Sequence, residues 1–214
     1  VGVIRDGFSG VTQTYERYTY EYIGDIGKTR TIGQLFTRYN ELQPMLTMHA
    51  KVHPPGPIVI LWVMSFLFTQ SPLGLSIGTI LFGSLTVITL YWLSRDLAGG
   101  RAALVTAALF AVVPGFALFN AVSADVTFLP FTVGTLWLFW RAIDRGKMGY
   151  AIGAGIGYAC MSLISFSLIG IGVFFAFVGL WRLGDPQRRM NVFTTAAVMV
   201  LMVLAVHGAV RFST

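Results

Sequence analysis

The sequence predicts an all-α fold: a polytopic bundle of transmembrane helices with a long loop on one side of the membrane. Of the 214 residues, 55% are hydrophobic and 11% are charged, whereas a typical soluble domain carries about 25% charged residues. Residues 55–94, 148–181 and 190–210 carry no charge, and about 20 mostly apolar residues suffice to span a bilayer as a helix. This composition excludes soluble enzymes, nucleic-acid binders and disulfide scaffolds.

Residues 1–56 are predicted to form the long loop outside the bilayer, and residues 57–214 the membrane module. Within the loop we predict an amphipathic helix, because apolar side chains recur at helical spacing. They are Ile32, Leu35, Phe36, Tyr39 and Leu42. We favour a helix that lies on the membrane surface over one packed on a soluble domain, since the loop is too short to form such a domain.

Residues 57–70 are apolar but short for a full membrane span. We interpret them as a short helix that enters the membrane and returns to the side from which it came. The alternative is a short true span, which would place the long loop on the opposite face of the membrane. Residues 74–94 follow as the first full pass and end beside Arg95.

Three basic clusters divide the rest of the chain. The stretches 102–140 and 148–181 between them are each long enough for two helical passes. We predict turns near Asn120–Asp125 and Ser162–Ser167, and one more pass at 192–210. Because excess Lys and Arg mark cytoplasmic loops, the clusters are predicted to be cytoplasmic and the long loop to lie outside. The clusters are Arg95 and Arg101; Arg141, Arg145 and Lys147; and Arg182, Arg188 and Arg189.

The stretch Lys51–Trp62 (KVHPPGPIVILW) joins the loop to the first apolar segment. Prolines suit the first turn of a helix, where the backbone N–H has no partner. A helix N-terminus carries the positive end of the helix dipole, and Lys51 and His53 lie beside it. The pattern therefore predicts a site for an anionic phosphate, although for Lys51 snorkelling at the membrane interface is an equal alternative.

This stretch resembles the GT-C glycosyltransferases, which are polytopic membrane enzymes. Val52–Pro55 (VHPP) looks like the step that protein O-mannosyltransferases carry at this point. Lipid A aminoarabinose transferases carry a Lys-Pro step in a similar position. The likeness extends to Tyr91–Ala98 (YWLSRDLA) and the turn Gly99–Arg101, and covers most of residues 20–145. The overall likeness is to bacterial proteins of the dolichyl-phosphate-mannose-protein mannosyltransferase-like group.

The resemblance implies transfer of a sugar, with inversion, from a polyprenyl-phosphate donor at the outer membrane face. The acceptor would be a protein, a lipid or a glycan. Family members carry an acid, often an Asp-Glu pair, in the first outer loop before the Pro step. Asp25 is the best match for this general base and Glu21 is the second candidate, although Ile26 follows Asp25 where the family often has Glu.

The family also places an acid in the second outer loop, and Asp125 is the only charged residue between 102 and 140. Charged groups near membrane depth are costly and usually functional, so we expect Asp125 to line the site. The alternative is a helix N-cap, a role that Ser123 could fill equally. His53, Lys51 and Arg30 are the candidates for binding the phosphate, with lipid headgroups as the other partner for Arg30.

No metal site is predicted, because a pair formed by His49 and His53 would need a helix that the prolines do not favour. A divalent metal cofactor is left open. We expect a multi-pass enzyme of the bacterial plasma membrane, in contact with membrane lipids and not with nucleic acid. The chain starts without Met or a signal segment, so we expect a piece of a longer protein.

Two other functions compete with the enzyme. A secondary transporter fragment would favour acids at the bilayer midplane and an inverted repeat. A non-catalytic membrane scaffold would be favoured if Asp25 and Asp125 pointed away from each other.

Overall fold

In the computed structural model, Gly7 and residues 9–17, 20–116 and 123–212 are described. The regular structure of these residues is entirely helical, which confirms the predicted fold class. The α-helices are α1 (Ser9–Glu16), α2 (Ile32–Thr37), α3 (Tyr39–Leu42), α4 (Met48–Val52), α5 (Gly56–Phe68), α6 (Pro72–Val112), α7 (Phe128–Arg145), α8 (Met148–Ile164), α9 (Ile171–Arg182) and α10 (Arg189–Phe212). Short 3-10 helices lie at Tyr22–Asp25, Gln43–Met45, Ala124–Thr127 and Phe166–Gly170.

Several helices are suited to a membrane. Within the described residues, three helices are long and apolar enough to cross a membrane: Pro72–Val112, Ala124–Arg145 and Arg189–Val210. Shorter apolar helices are Gly56–Phe68, Met148–Ile164 and Phe166–Arg182. Many large apolar side chains along these helices are exposed, and such a surface is stable against lipid rather than water. The chain is therefore an integral membrane protein.

Helix α6 is broken at Gly99, whose φ of 86° and ψ of 173° are not helical. Glycine adopts this conformation because it has no Cβ. Before the break, Asp96 hydrogen-bonds to Arg141 near the end of α7. After the break, Asp125 lies just before the start of α7. It is close enough to Glu21 in the loop for its charge to raise the pKa of Glu21. The chain between Asp96 and Asp125 therefore runs back toward the loop, as the predicted hairpin requires.

The two predicted turns differ in how far they are described. Of Asn120–Asp125, the part before Ser123 lies outside the described residues. The turn predicted near Ser162–Ser167 is confirmed: α8 ends at Ile164, and Ser165 has an extended backbone with φ −153° and ψ 136°. A 3-10 helix then leads into α9.

The three basic clusters meet at one end of the bundle, which we call the basic end. Asp96 accepts hydrogen bonds from Nη2 of Arg141 and from the indole N–H of Trp137, both at 2.8 Å. Arg188 pairs with Asp144 at 2.9 Å, which joins the third cluster to the second. The clusters therefore share one side of the bundle, as their charge pattern predicts.

The loop packs on the opposite end, which we call the loop side. The hydroxyls of Tyr15 in α1 and Thr79 in α6 are 2.5 Å apart, and Ser76 Oγ donates to the carbonyl of Val11 at 2.9 Å. A rise of 1.5 Å per residue places Thr79 and Asp96 about 25 Å apart along α6. This separation is close to the thickness of a hydrocarbon core, which is about 30 Å.

The predicted amphipathic helix is two short helices, α2 and α3, which meet at Arg38 with φ −108° and ψ 14°. Leu35 is 2% exposed and Leu42 is 6% exposed, and both belong to a core that includes Tyr22 and Ile58. Leu35 and Leu42 of the apolar face therefore pack on the protein, whereas Ile32 of the same face is 37% exposed. Helical spacing shows that a face is apolar but not what buries it.

Helix α5 begins and ends on the loop side. At its start, Gly56 lies so close to the backbone of Leu163 and Ile164 that a Cβ would overlap the Leu163 carbonyl oxygen. At its end, the carbonyl oxygen of Phe68 lies against Gly74 in the first turn of α6. Both contacts place the ends of α5 at one side of the bundle, the arrangement that our interpretation of residues 57–70 favoured.

Candidate functional site

Glu21 is the N-cap residue of the 3-10 helix Tyr22–Asp25. Its Oε1 lies 3.3 Å from Nδ1 of His49 in α4, and the Glu21 side chain is 13% exposed. Burial raises the pKa of Glu21, His49 opposes the shift and the Asp125 carboxylate adds to it. A shielded acid with a raised pKa and a histidine partner is suited to accept a proton.

Asp125 lies near Glu21 in a more open position, since its side chain is exposed. Ser123 is the N-cap of the short helix that contains Asp125, and its Oγ accepts the Asp125 N–H at 3.2 Å. The carboxylate of Asp125 is therefore not used as the cap. Burial raises the pKa of Tyr22, and the charge of Asp125 is the next largest cause. The charge of Asp125 is thus close enough to raise the pKa of both Tyr22 and Glu21.

His53 approaches this group from the Pro-Pro step. Its ring centroid lies 6.0 Å from that of Tyr22, edge to face, and 6.4 Å from that of Phe128. The His53 carbonyl accepts a hydrogen bond from the Tyr39 hydroxyl. The Nδ1 atom of the His53 ring is buried and has no hydrogen-bond partner among the described residues. An unpaired buried nitrogen costs free energy unless a ligand or water forms a hydrogen bond with it.

We call this group the loop-side cluster. Its members are Glu21, Tyr22, His49, His53 and Asp125. It joins three parts of the chain: the start of the first 3-10 helix, the segment around α4 and the residues before α7. It therefore combines two carboxylates, two imidazoles and a phenol at the loop side.

Asp25, the acid that best matches the spacing of the family, has a different environment. Its side chain has no exposed surface. Oδ1 accepts from Lys28 Nζ at 2.7 Å and from the Thr47 N–H at 3.0 Å, and Oδ2 accepts from Thr47 Oγ1 at 2.7 Å. Charge-assisted hydrogen bonds of this kind are strong, so the Asp25 carboxylate ties its turn to the residues before α4.

Lys51 and Arg30 are both exposed. Lys51 lies in the last turn of α4, and Arg30 lies just before α2, where its backbone N–H donates to Gln34 Oε1 at 3.0 Å. Neither side chain forms an ion pair with a described residue, so each can meet an anion from outside. The described hydrogen bonds and ion pairs do not connect either of them to the loop-side cluster.

Two members of the loop-side cluster, His49 and Tyr22, are not predicted from the sequence. His49 was weighed only as a metal ligand beside His53, but α4 ends at Val52 and His53 has an extended backbone with φ −115° and ψ 157°. Its actual partner is Glu21, in a different part of the loop. The sequence does show an acid between two aromatic residues, in Tyr20-Glu21-Tyr22. No spacing rule, however, links this acid to a histidine later in the chain.

Within the described residues, no group of three His, Cys, Asp or Glu side chains is arranged to hold a metal ion. An apolar groove of about 440 Å³ lies between α5 and α6, with Val59, Phe82 and Phe131 among its lining residues. Phe131 is one helical turn from Phe128, which contacts His53. The groove therefore begins close to the loop-side cluster and could receive an apolar chain.

The fold and the site define a class: an all-α integral membrane protein with a carboxylate–histidine cluster at one end of its bundle. The sequence profile of the family described as dolichyl-phosphate-mannose-protein mannosyltransferase matches residues 52–210. The chain belongs to this family and is a mannosyltransferase-like membrane glycosyltransferase of the GT-C type, which confirms the resemblance seen in the sequence. The match includes His53 and Asp125, whereas Glu21 and Asp25 precede it. No curated protein and no solved structure shows a significant match.

Proposed function

We propose that this protein transfers a sugar from a polyprenyl-phosphate donor to an acceptor hydroxyl at the loop side, with Glu21 as the general base. The observation that carries the proposal is the environment of Glu21, which has a raised pKa, a histidine partner and a second acid nearby. Asp25 is the other candidate for the base. Its two oxygens are already bonded within the protein, so we assign Asp25 to holding the loop.

In the proposed reaction, the acceptor oxygen attacks the anomeric carbon of the donor sugar while Glu21 takes the hydroxyl proton. The bond between the anomeric carbon and the phosphate oxygen breaks, and the polyprenyl phosphate leaves with the electron pair. Attack from the side opposite the phosphate inverts the anomeric centre. A positioned base contributes about 10²–10⁴-fold to such a rate.

The negative charge that develops on the leaving phosphate needs a cationic or hydrogen-bonding partner. His53 is our first candidate, because its buried Nδ1 has no partner among the described residues. Lys51 and Arg30, both exposed, are further candidates. The groove between α5 and α6 begins near His53, and its apolar walls suit the polyprenyl tail.

Asp125 is proposed to line the site opposite Glu21. Its charge contributes to the raised pKa of Glu21, which makes Glu21 a stronger base, and its exposed oxygens are free to accept hydrogen bonds from sugar hydroxyls. We propose that the loop side faces the outside of a bacterial plasma membrane, since the basic end then lies in the cytoplasm. The acceptor can be a protein, a lipid or a glycan hydroxyl.

Transfer can be tested with the intact protein in proteoliposomes and a polyprenyl-phosphate donor whose sugar is isotopically labelled. We expect transfer of the label to an acceptor hydroxyl, with a product anomer opposite to that of the donor by NMR. A matched sample without protein, with the same labelled donor and acceptor, is the blank. Retention of the anomeric configuration would contradict direct attack from the side opposite the phosphate.

The pH dependence of transfer tests the contact between Glu21 and His49. A base acts only when deprotonated, so kcat/KM should fall as the pH drops through the raised pKa of Glu21. His49 lowers that pKa, and His49→Gln should therefore move the acid limb of the profile to higher pH. His207→Gln, which removes a histidine bonded to Ser162 in α8, should leave the limb in place. A limb that moves to lower pH in His49→Gln would contradict the assignment.

A further inference from the structure

The basic end contains an arginine between two tryptophans. The Cζ of Arg182, at the end of α9, lies 4.4 Å from the ring centroid of Trp140 and 4.5 Å from that of Trp181. Both distances are within the range of cation–π attraction. Trp181 is 67% exposed, and tryptophans on apolar helices collect at the membrane–water interface. The guanidinium is therefore held at the level of the lipid headgroups.

The hydrogen-bond donors of Arg182 have no acceptor among the described residues, and none of its nitrogens lies within ion-pair distance of a described carboxylate. Two acids at this end, Asp144 and Asp185, form ion pairs with a different arginine. Arg188 lies 2.9 Å from Asp144 and 3.4 Å from Asp185. The attraction to the two rings provides no oxygen acceptor for the five guanidinium N–H groups. Arg182 is thus a positioned cation whose polar edge has no partner among the described residues.

An apolar groove of about 570 Å³ lies next to Arg182, between α7, α8, α9 and α10. Phe139, Phe175, Leu183 and Phe193 are among its lining residues, and it reaches from Leu183, beside Arg182, to Leu204 in α10. Its run along α10 from Val192 to Leu204 is about 18 Å at 1.5 Å per residue. One leaflet of a hydrocarbon core of about 30 Å is about 15 Å thick, so the groove matches the depth of one acyl chain.

We propose that Arg182, Trp140, Trp181 and this groove form a binding site for one anionic phospholipid in the leaflet at the basic end. The edge of the Arg182 guanidinium binds the lipid phosphate, and an acyl chain occupies the groove. Charge complementarity favours an anionic lipid, because the basic end carries eight Lys and Arg residues against three acids. Basic pockets between transmembrane helices are suited to such headgroups.

The test uses native mass spectrometry of the intact protein, titrated with phosphatidylglycerol or with phosphatidylcholine of the same acyl chains. We expect tighter binding of phosphatidylglycerol, and Arg182→Gln should weaken it by about tenfold to a hundredfold, the value of a charge-assisted hydrogen bond. Arg101→Gln is the matched control: Arg101 is an exposed arginine of the same end without a described aromatic partner. It should retain binding within about twofold.

Two further measurements separate the parts of the site. Arg182→Lys keeps the charge but not the planar fork, and should bind phosphatidylglycerol with intermediate affinity. Inorganic phosphate should not displace the lipid, because the acyl chain in the groove contributes to binding. Equal loss in Arg182→Gln and Arg101→Gln, equal affinity for both lipids, or displacement by inorganic phosphate would each overturn the proposal.

Discussion

Replacing Glu21 by Gln is expected to lower the rate constant of sugar transfer by about 10²–10⁴-fold, the contribution of a positioned general base. Glutamine has the same shape and can still contact His49, but it cannot take the proton of the acceptor hydroxyl. The KM for the donor should change little, because the proposed phosphate-binding groups are His53, Lys51 and Arg30. Initial rates with purified protein in proteoliposomes, at saturating donor, give the comparison.

Glu16→Gln is the control for Glu21→Gln. Glu16 is an exposed residue of α1 that accepts a hydrogen bond from Thr12, so its replacement should leave the rate unchanged. The midpoint of thermal unfolding should be the same in both variants and in the unmodified protein. If Glu21→Gln kept the full rate while a folded Asp25→Asn variant lost it, the role of the base would return to Asp25.

Replacing Asp25 by Ala is expected to destabilise the loop by about 3 kcal/mol, since it leaves buried hydrogen-bond donors without their charged acceptor. The N–H and hydroxyl of Thr47 lose their acceptor, and Lys28 loses an ion pair of 2.7 Å. Lys28 retains its hydrogen bond to the Met45 carbonyl, which limits the loss. Thermal unfolding of the detergent-solubilised protein and limited proteolysis of residues 20–56 should both report the change.

Asp125→Ala is the matched control for stability, because the Asp125 side chain is exposed and is not the cap of its helix. It should lower activity without moving the unfolding midpoint. Thr47→Val, which removes only one hydroxyl bond to Asp25, should cost about 1 kcal/mol. An unfolding midpoint of Asp25→Ala equal to that of the unmodified protein would show that Asp25 does not hold the loop together.

Much of the membrane architecture could be predicted from the sequence. Apolar stretches divided by Arg and Lys predict passes and turns, and the turn after Ile164 and the meeting of the basic clusters at one end agree with that pattern. These predictions succeed because the cost of burying charge in lipid acts on each segment separately. The VHPP step likewise predicted the family that the profile match shows.

The site could be predicted only in part. Glu21, Asp125 and His53 were candidates, but the match in spacing placed Asp25 ahead of Glu21. The structure adds what spacing could not give: Asp25 has no exposed surface and bonds to Thr47, whereas Glu21 pairs with His49. These environments are the reason that we propose Glu21 as the base. The same limit applies to the amphipathic segment. Its spacing predicts an apolar face, but only the structure shows that Leu35 and Leu42 of that face pack with Tyr22 and Ile58.

The sequence by itself determined that this protein is a helical membrane glycosyltransferase, which segments are apolar enough to cross a bilayer, and which residues are candidates for its site. Only the tertiary structure decided which acid is fully buried and hydrogen-bonded to Thr47, and which lies beside a histidine. The reason is physical: insertion into a membrane depends on the composition of each segment. The protonation and accessibility of a carboxylate depend instead on neighbours that distant parts of the chain bring to it.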